Sequence, residues 1–188
     1  RSKLDGIKVL ETEHSNIVDF TNVLRAMGIK AMNERVVEPE DFLKAVDFVR
    51  RYSDKQHHGK EEKILFRIMT EHLGPQAQRL IENGMMVEHD LARLYVSQIE
   101  ECAFKIKEGA DLTDDILLDV IGHTMEYANL LQRHAEKENT VLFPFGKREL
   151  SPELLEAVNR ETEQFEEENA ANREEMLGIL SYLRNKYI

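Results

Sequence analysis

Two short segments of the chain repeat one pattern of ligand-type side chains. Residues 57–66 read HHGKEEKILF and residues 134–143 read HAEKENTVLF. Each segment has a histidine followed four residues later by a glutamate, His57 with Glu61 and His134 with Glu138. On a helix, this spacing places both side chains on one face, one turn apart. Because imidazole and carboxylate groups both bind metal ions, the repeat points to a metal site supplied by two helices.

A second pair of histidines repeats with almost the same period. His14 and His89, each preceded by a glutamate, are 75 residues apart, and the histidines of the first pattern are 77 residues apart. The two halves therefore look like copies of one unit, each supplying a histidine and a His-x-x-x-Glu motif. This arrangement favours a site for two metal ions with approximate twofold symmetry.

The rest of the chain indicates the scaffold that positions these side chains. Apolar residues recur every three or four positions, which is the period of an amphipathic helix, and no segment alternates convincingly with period two. The pattern predicts an all-α fold. Residues 1–147 would form an up-down-up-down four-helix bundle, and residues 148–188 an additional C-terminal helix packed on it. The predicted breaks between helices are near Gly28, at Gly74-Pro75, at Gly109 and at Ser151-Pro152.

In an antiparallel bundle, residues equally distant from a connecting turn lie at the same height. Counted from the predicted turns, the four histidines differ in height by only a few ångströms, at about 1.5 Å per residue. Two carboxylates buried beside them would be costly without a partner, and a dinuclear metal site with bridging carboxylates removes that cost. Ligands without thiolate favour iron or manganese. The predicted ligands are His14, His57, Glu61, His89, His134 and Glu138.

Other polar side chains near this layer are interpreted differently. His58 and Glu62 also have the i, i+4 spacing, but they lie one position off the repeat and have no counterpart pair, so they are left out of the ligand set. His123 lies eleven residues before His134, about 16 Å along the helix, and is interpreted as a core or access-path histidine. Tyr127 is interpreted as a core aromatic residue; the alternative is a hydrogen-bond donor to a bound oxygen species.

Composition narrows the class of protein further. The net charge of −11 argues against a nucleic acid or an anionic membrane as partner, because either would be repelled. The single cysteine, Cys102, cannot form an internal disulfide, which suits a reducing compartment. No apolar run approaches the roughly 20 residues of a membrane span. We therefore expect a cytoplasmic protein.

With these residues identified, the chain resembles hemerythrin-like proteins of the His-His-Glu cation-binding class, across residues 1 to about 147. The resemblance implies a non-haem di-iron centre with an oxo or hydroxo bridge, and manganese fits the same ligand types. Carried over by position, it assigns His14 and His57 to one iron, His89 and His134 to the other, and Glu61 and Glu138 to the bridging positions.

One position departs from the oxygen-carrying hemerythrins, which have a second histidine one turn after the ligand of the third helix. Here that residue is Arg93. The four-His, two-Glu set is similar instead to that of bacterial stress proteins, and fewer imidazoles would leave an open position at each iron. The resemblance implies binding of O2, NO or peroxide, as a sensor, scavenger or weak oxidoreductase served by an unidentified electron donor. The alternative is an iron-handling or iron-donor module without catalytic turnover.

Overall fold

The computed structural model describes residues 1–188, which form nine α-helices and four π-helical segments without any β-strand. Four helical runs, A to D, make up a bundle. Run A is α1 (Gly6–Glu34). Run B comprises α2 (Pro39–Phe48), π1 (Val49–His58), π2 (Glu61–Phe66) and α3 (Arg67–His72). Run C comprises α4 (Gly74–Leu80), π3 (Ile81–Met85) and α5 (Met86–Lys107), and run D comprises α6 (Asp114–Lys137), π4 (Glu138–Leu142) and α7 (Phe143–Glu149).

Two further helices follow the bundle, α8 (Pro152–Glu168) and α9 (Ala170–Tyr187). Helix α8 begins beside the start of run A, where the Gly6 amide donates to Asn159 at 2.8 Å. Helix α9 ends beside the start of run B, where the Tyr187 hydroxyl donates to Asp41 at 2.6 Å. The two helices therefore extend along runs A and B. The predicted all-α bundle with an additional C-terminal helix is confirmed, and this helix is divided into two at Asn169.

The connections between runs follow from local turn chemistry. Thr113 begins α6 and Ser151 begins α8 by accepting hydrogen bonds from backbone amides three residues further on. Gly74, the first residue of run C, and Gly109, in the connection that follows this run, have φ angles of 77° and 100°, which glycine adopts without steric cost. These turns lie where the sequence places them.

The first turn lies later than expected. Helix α1 continues through Gly28 to Glu34, and Arg35 then adopts a left-handed conformation with a φ angle of 53°. A single glycine in a helix costs only about 1 kcal/mol, and the buried side chains of Met27 and Ala31 extend the core face past it. Packing therefore outweighs the weak break that glycine introduces.

The apolar core consists of two clusters with a polar layer between them. Along run A, Leu10 belongs to the smaller cluster and Ile17 to the larger one, and His14 lies between them. In each of the other three runs a histidine likewise separates the two clusters, and in runs B and D the larger cluster comes first along the chain. None of the helices combines the length and the apolar character that a membrane span requires.

Two glycines of α1 provide a test of how tightly α8 packs. A Cβ atom at Gly6 would lie 2.8 Å from Thr162 Oγ1 and 3.0 Å from a methyl group of Val158, whereas a Cβ at Gly28 would meet nothing within 4 Å. We expect Gly6→Ala to lower the free energy of unfolding by about 1–3 kcal/mol because of overpacking. Gly28→Ala should raise it by up to about 1 kcal/mol through helix propensity. Urea denaturation measures both, and shifts of the same sign would contradict the packing of α8 on α1.

Candidate metal centre

The six side chains predicted as ligands meet in one buried layer, and each residue is at most 2% exposed. Run B contributes Glu61, which faces imidazoles from both halves of the repeat. Its Oε1 atom lies 3.1 Å from Nε2 of His57 and 3.6 Å from Nε2 of His89. One carboxylate thus lies between the two halves of the bundle.

Glu138 of run D occupies the equivalent position. Its Oε1 atom lies 3.1 Å from Nε2 of His14 and 2.9 Å from Nε2 of His134. Nε2 of His134 in turn lies 3.1 Å from Nε2 of His89. Each glutamate therefore contacts one imidazole from each half, which is the arrangement that a pair of bridging carboxylates requires.

The structure places a seventh side chain in the layer, His58, which the sequence analysis leaves out. Its ring stacks on that of His89, with the ring centroids 3.7 Å apart, and the residue is 2% exposed. Two groups of four side chains have ligand atoms close enough together to hold a cation, and Glu61 belongs to both. One group is His14, His57, Glu61 and Glu138, and the other is His58, Glu61, His89 and His134.

The π-helical segment π1 explains how two consecutive histidines both face the core. Neighbouring residues of an α-helix point about 100° apart, so a strict α-helical period places His58 away from the face of His57. Hydrogen bonds from residue i to i+5 widen the turn in π1, and both side chains become buried. The i, i+4 spacing of Asp54 and His58 is the sequence signal for this residue, because Asp54 bonds the outer nitrogen of the ring.

All five imidazoles share one orientation. In each ring, Nδ1 faces an oxygen atom outside the layer, so it is the protonated nitrogen and donates a hydrogen bond. Nε2 then presents its lone pair to the layer, as in metal-binding histidines that a carboxylate or an amide orients. The five acceptors are Asn139 for His14 (2.7 Å), Glu13 for His57 (2.9 Å), Asp54 for His58 (3.2 Å), Glu62 for His89 (2.8 Å) and Glu88 for His134 (3.4 Å).

The repeat extends to these outer hydrogen bonds. Glu13 of run A accepts from His57 and from Lys60, three residues further along run B. Glu88 of run C accepts from His134 and from the lysine at the corresponding position of run D, Lys137. The approximate twofold symmetry is therefore a property of the whole polar layer and not only of the ligand atoms.

The symmetry fails around His58. When residues are matched by the 75- and 77-residue spacings of the repeat, three polar residues of this region correspond to apolar residues in the other half. As a result, one group of ligand residues offers three imidazoles and the other offers two. The pairs are His58 with Ala135, Asp54 with Leu131 and Arg93 with Val18. Arg93 bonds Glu62 at 2.6 Å and Asp54 at 2.9 Å, and it thereby holds the acceptors of two imidazoles.

The remaining side chains that the sequence singled out lie outside the layer. Tyr127 is fully buried in the larger apolar cluster, with its ring edge-on to Phe20. The His123 side chain is 25% exposed and pairs with Glu126 at the surface. Glu62 is the acceptor for His89, and not a ligand group itself.

The donor set fits a pair of cations. Several atoms that face the layer are buried and have no hydrogen-bond partner, namely Nε2 of His57 and His58, both carboxylate oxygens of Glu61 and Oε2 of Glu138. Buried polar atoms without partners are costly, and cations bound between them would satisfy all of these atoms together. Nitrogen and oxygen donors without thiolate suit iron or manganese.

When no cation is bound, the layer holds protons instead. Burial disfavours the charged form of His57, but the adjacent Glu61 and Glu13 carboxylates outweigh this effect and raise its pKa to about 10. Burial is likewise outweighed at His134, where Glu138 raises the pKa to about 10. For His58, burial and the neighbouring imidazoles lower the pKa well below its usual value.

The fold and the layer define a cation-binding α-helical bundle. The family model of the hemerythrin HHE cation binding domain matches residues 5–146, and the chain therefore belongs to this family. The resemblance seen in the sequence is confirmed. A comparison with curated proteins finds no match. Helices α8 and α9 follow the matched range.

Cation binding should release protons, because His57 and His134 must lose theirs before Nε2 can act as a ligand. With both pKa values raised to about 10, we expect at least two protons released per chain at pH 7. Affinity should fall as the pH is lowered, since protons then compete more strongly. Calorimetric titration with Co²⁺ in buffers of different ionisation enthalpy measures the number released. Release of fewer than one proton would contradict the protonated layer.

The contribution of His58 can be tested by substitution. We expect His58→Ala to weaken binding of one of two Co²⁺ ions by about tenfold or more, because one group loses an imidazole that is already oriented by Asp54. His123→Ala, on the partly exposed surface of run D, is the matched control and should leave both affinities unchanged. Equal affinities in the two variants would exclude His58 as a ligand.

Proposed function

We propose that this chain is a non-haem di-iron protein that binds O2, NO or peroxide, as a sensor, scavenger or weak oxidoreductase. One observation carries the proposal, namely the two buried groups of ligand atoms that share Glu61. A bound iron pair would supply the reversible electron transfer that diatomic or peroxide ligands require. Manganese is compatible with the same atoms.

The two groups of ligand atoms differ in their number of imidazoles, but each contains four side chains. His58, His89 and His134 would all bind one iron, and His14 and His57 the other. The sequence alone suggested an open position at each iron. With His58 in the layer, each group offers four side chains, and we infer that an external ligand can bind at either iron.

A cavity gives small molecules a route towards the layer. It has a volume of about 310 Å³. Its lining combines apolar residues, among them Val49, Ala92 and Val96, with polar ones that include Asp54, Arg93 and His58. Arg93, which also lines the cavity, is paired with carboxylates and carries no free charge to attract an anion. The cavity would thus place a small molecule beside His58, which belongs to the group with three imidazoles.

The burial of the centre favours a resident metal pair over iron donation. All seven imidazole and carboxylate residues of the layer are at most 2% exposed, so a chelator or acceptor protein cannot reach the ligands without an opening of the bundle. An iron donor needs labile metal at an accessible site. We therefore place ligand binding first and iron handling second.

The experiment that tests the proposal starts from anaerobically purified protein. We expect two irons per chain by elemental analysis and new optical absorption on addition of O2, NO or hydrogen peroxide. Glu61→Ala and Glu138→Ala should each lose most of the iron, because each removes a carboxylate shared between the two halves. Glu126→Ala, a change at an exposed glutamate of run D, should retain it.

The outcomes separate the proposals. Stoichiometric iron that ignores all three reagents would favour the iron-handling function. Full iron content in both glutamate variants would show that the layer is not the binding site. If the protein contains iron and responds to these reagents, the rates of the optical change would distinguish a carrier from a reductase.

A further inference from the structure

Lys60 is a buried cation just outside the ligand layer. The residue is 1% exposed, and its ammonium group donates to two carboxylates, Glu13 of α1 and Glu166 of α8. The ring of Phe165 lies under the ammonium group, 5.4 Å from its nitrogen. Glu166 is held in turn by Arg173, which donates to it at 2.7 Å. A buried charge needs partners of this kind, because its removal from water is unfavourable unless other interactions compensate.

The repeat supplies a natural comparison. Lys137 is the counterpart of Lys60, and it donates to Glu88 as Lys60 donates to Glu13. The Lys137 side chain, however, is 55% exposed, and Glu88 is its only carboxylate partner. The two halves of the centre therefore have the same hydrogen bonds between lysine and glutamate, but only the half that contains Lys60 is covered by helix α8.

We propose that Glu166 of α8 is a positioning residue of the metal centre: through Lys60, it holds Glu13 against Nδ1 of His57. Helix α8 lies beyond the residues that match the hemerythrin domain, so the chain would complete its own site with a segment outside that domain. The proposal rests on the cation site of the proposed function and does not depend on any reaction with O2, NO or peroxide.

The contacts form one continuous chain from the surface to the ligand. One oxygen of Glu13 accepts from His57 at 2.9 Å, and the other accepts from Lys60. Each oxygen of this carboxylate thus has a donor, and the orientation of the carboxylate depends on where the ammonium group is held. Loss of Glu166 would leave the buried Lys60 ammonium group with one carboxylate partner, which is unfavourable.

A solvent-facing cavity lies beside this chain of contacts. Its volume is about 380 Å³, and Glu13, Tyr52, Glu166 and Arg173 are among its lining residues, whereas Lys60 is not. The Glu166–Arg173 pair therefore forms part of the wall between the cavity and Lys60. If the pair is broken, water can reach Lys60 and compete for the Glu13 carboxylate.

The first test needs no metal. In ¹⁵N-labelled metal-free protein, the exchange of imidazole N–H protons with water can be followed by NMR. We expect exchange at His57 to be at least about tenfold faster in Glu166→Gln than in the unsubstituted chain, and exchange at His134 to be unchanged. The Glu166 side chain is 15% exposed, so this variant should fold, and thermal denaturation checks that it does.

The second test measures Co²⁺ affinity by competition with a chelator. Glu166→Gln and Lys60→Met should each weaken one of the two bound ions by about 10–100-fold, as the loss of groups that orient ligands does. Lys137→Met makes the same change at the exposed counterpart and should cost less than about threefold. Because Glu166 acts through Lys60, the double variant should be no weaker than Lys60→Met alone.

Three results would overturn the proposal. They are unchanged exchange at His57, equal weakening of both ions, and equal effects of Lys60→Met and Lys137→Met. A selective effect in a protein that binds two Co²⁺ ions but ignores O2 and NO would support the positioning role while the proposed function fails. If the chain binds no Co²⁺, the exchange measurement alone decides.

Discussion

Seven imidazole and carboxylate side chains are buried at one height, and this constraint shapes the rest of the structure. Apolar clusters above and below the layer exclude water, so each polar atom must find a partner inside the protein. The outer nitrogens of the imidazoles donate to carboxylates and one amide, which leaves lone pairs on the inner face. Lone pairs facing one another repel unless a cation or protons lie between them. The acceptors Glu13 and Glu88 are thus as necessary to the layer as the ligand atoms.

Much of the fold and of this layer can be predicted from the sequence, because short-range rules decide it. The spacing of His57 and Glu61 fixes a common helical face, and the repeated motif supplies the second half. His58 could not be found in the same way. The repeat predicts ligands only at positions where both halves have a ligand-type residue, and the counterpart of His58 is Ala135. The assumed period of 3.6 residues also fails in π1, where the turn is wider.

The C-terminal segment shows a different limit. Its apolar spacing predicts a helix along the bundle, but the break at Asn169 comes from a local interaction, since the side chain of Asn169 donates to the carbonyl oxygen of Phe165 at 2.9 Å. Its contact with the centre depends on Lys60 and Glu166, which are far apart in sequence. Only packing brings such a pair together, and no sequence motif around either residue predicts the contact.

The π-helical segments make run B sensitive to the deletion of a single residue. A widened turn contains about one residue more than an α-helical turn of the same rise. In run B, π1 contains His57 and His58, and π2 begins at Glu61. Deleting a single residue within π1 would restore the α-helical pitch, in which neighbouring residues point about 100° apart. Such a deletion would turn His58 away from the face of His57 while every ligand side chain remained present. The centre should therefore tolerate many substitutions in run B more readily than one missing residue.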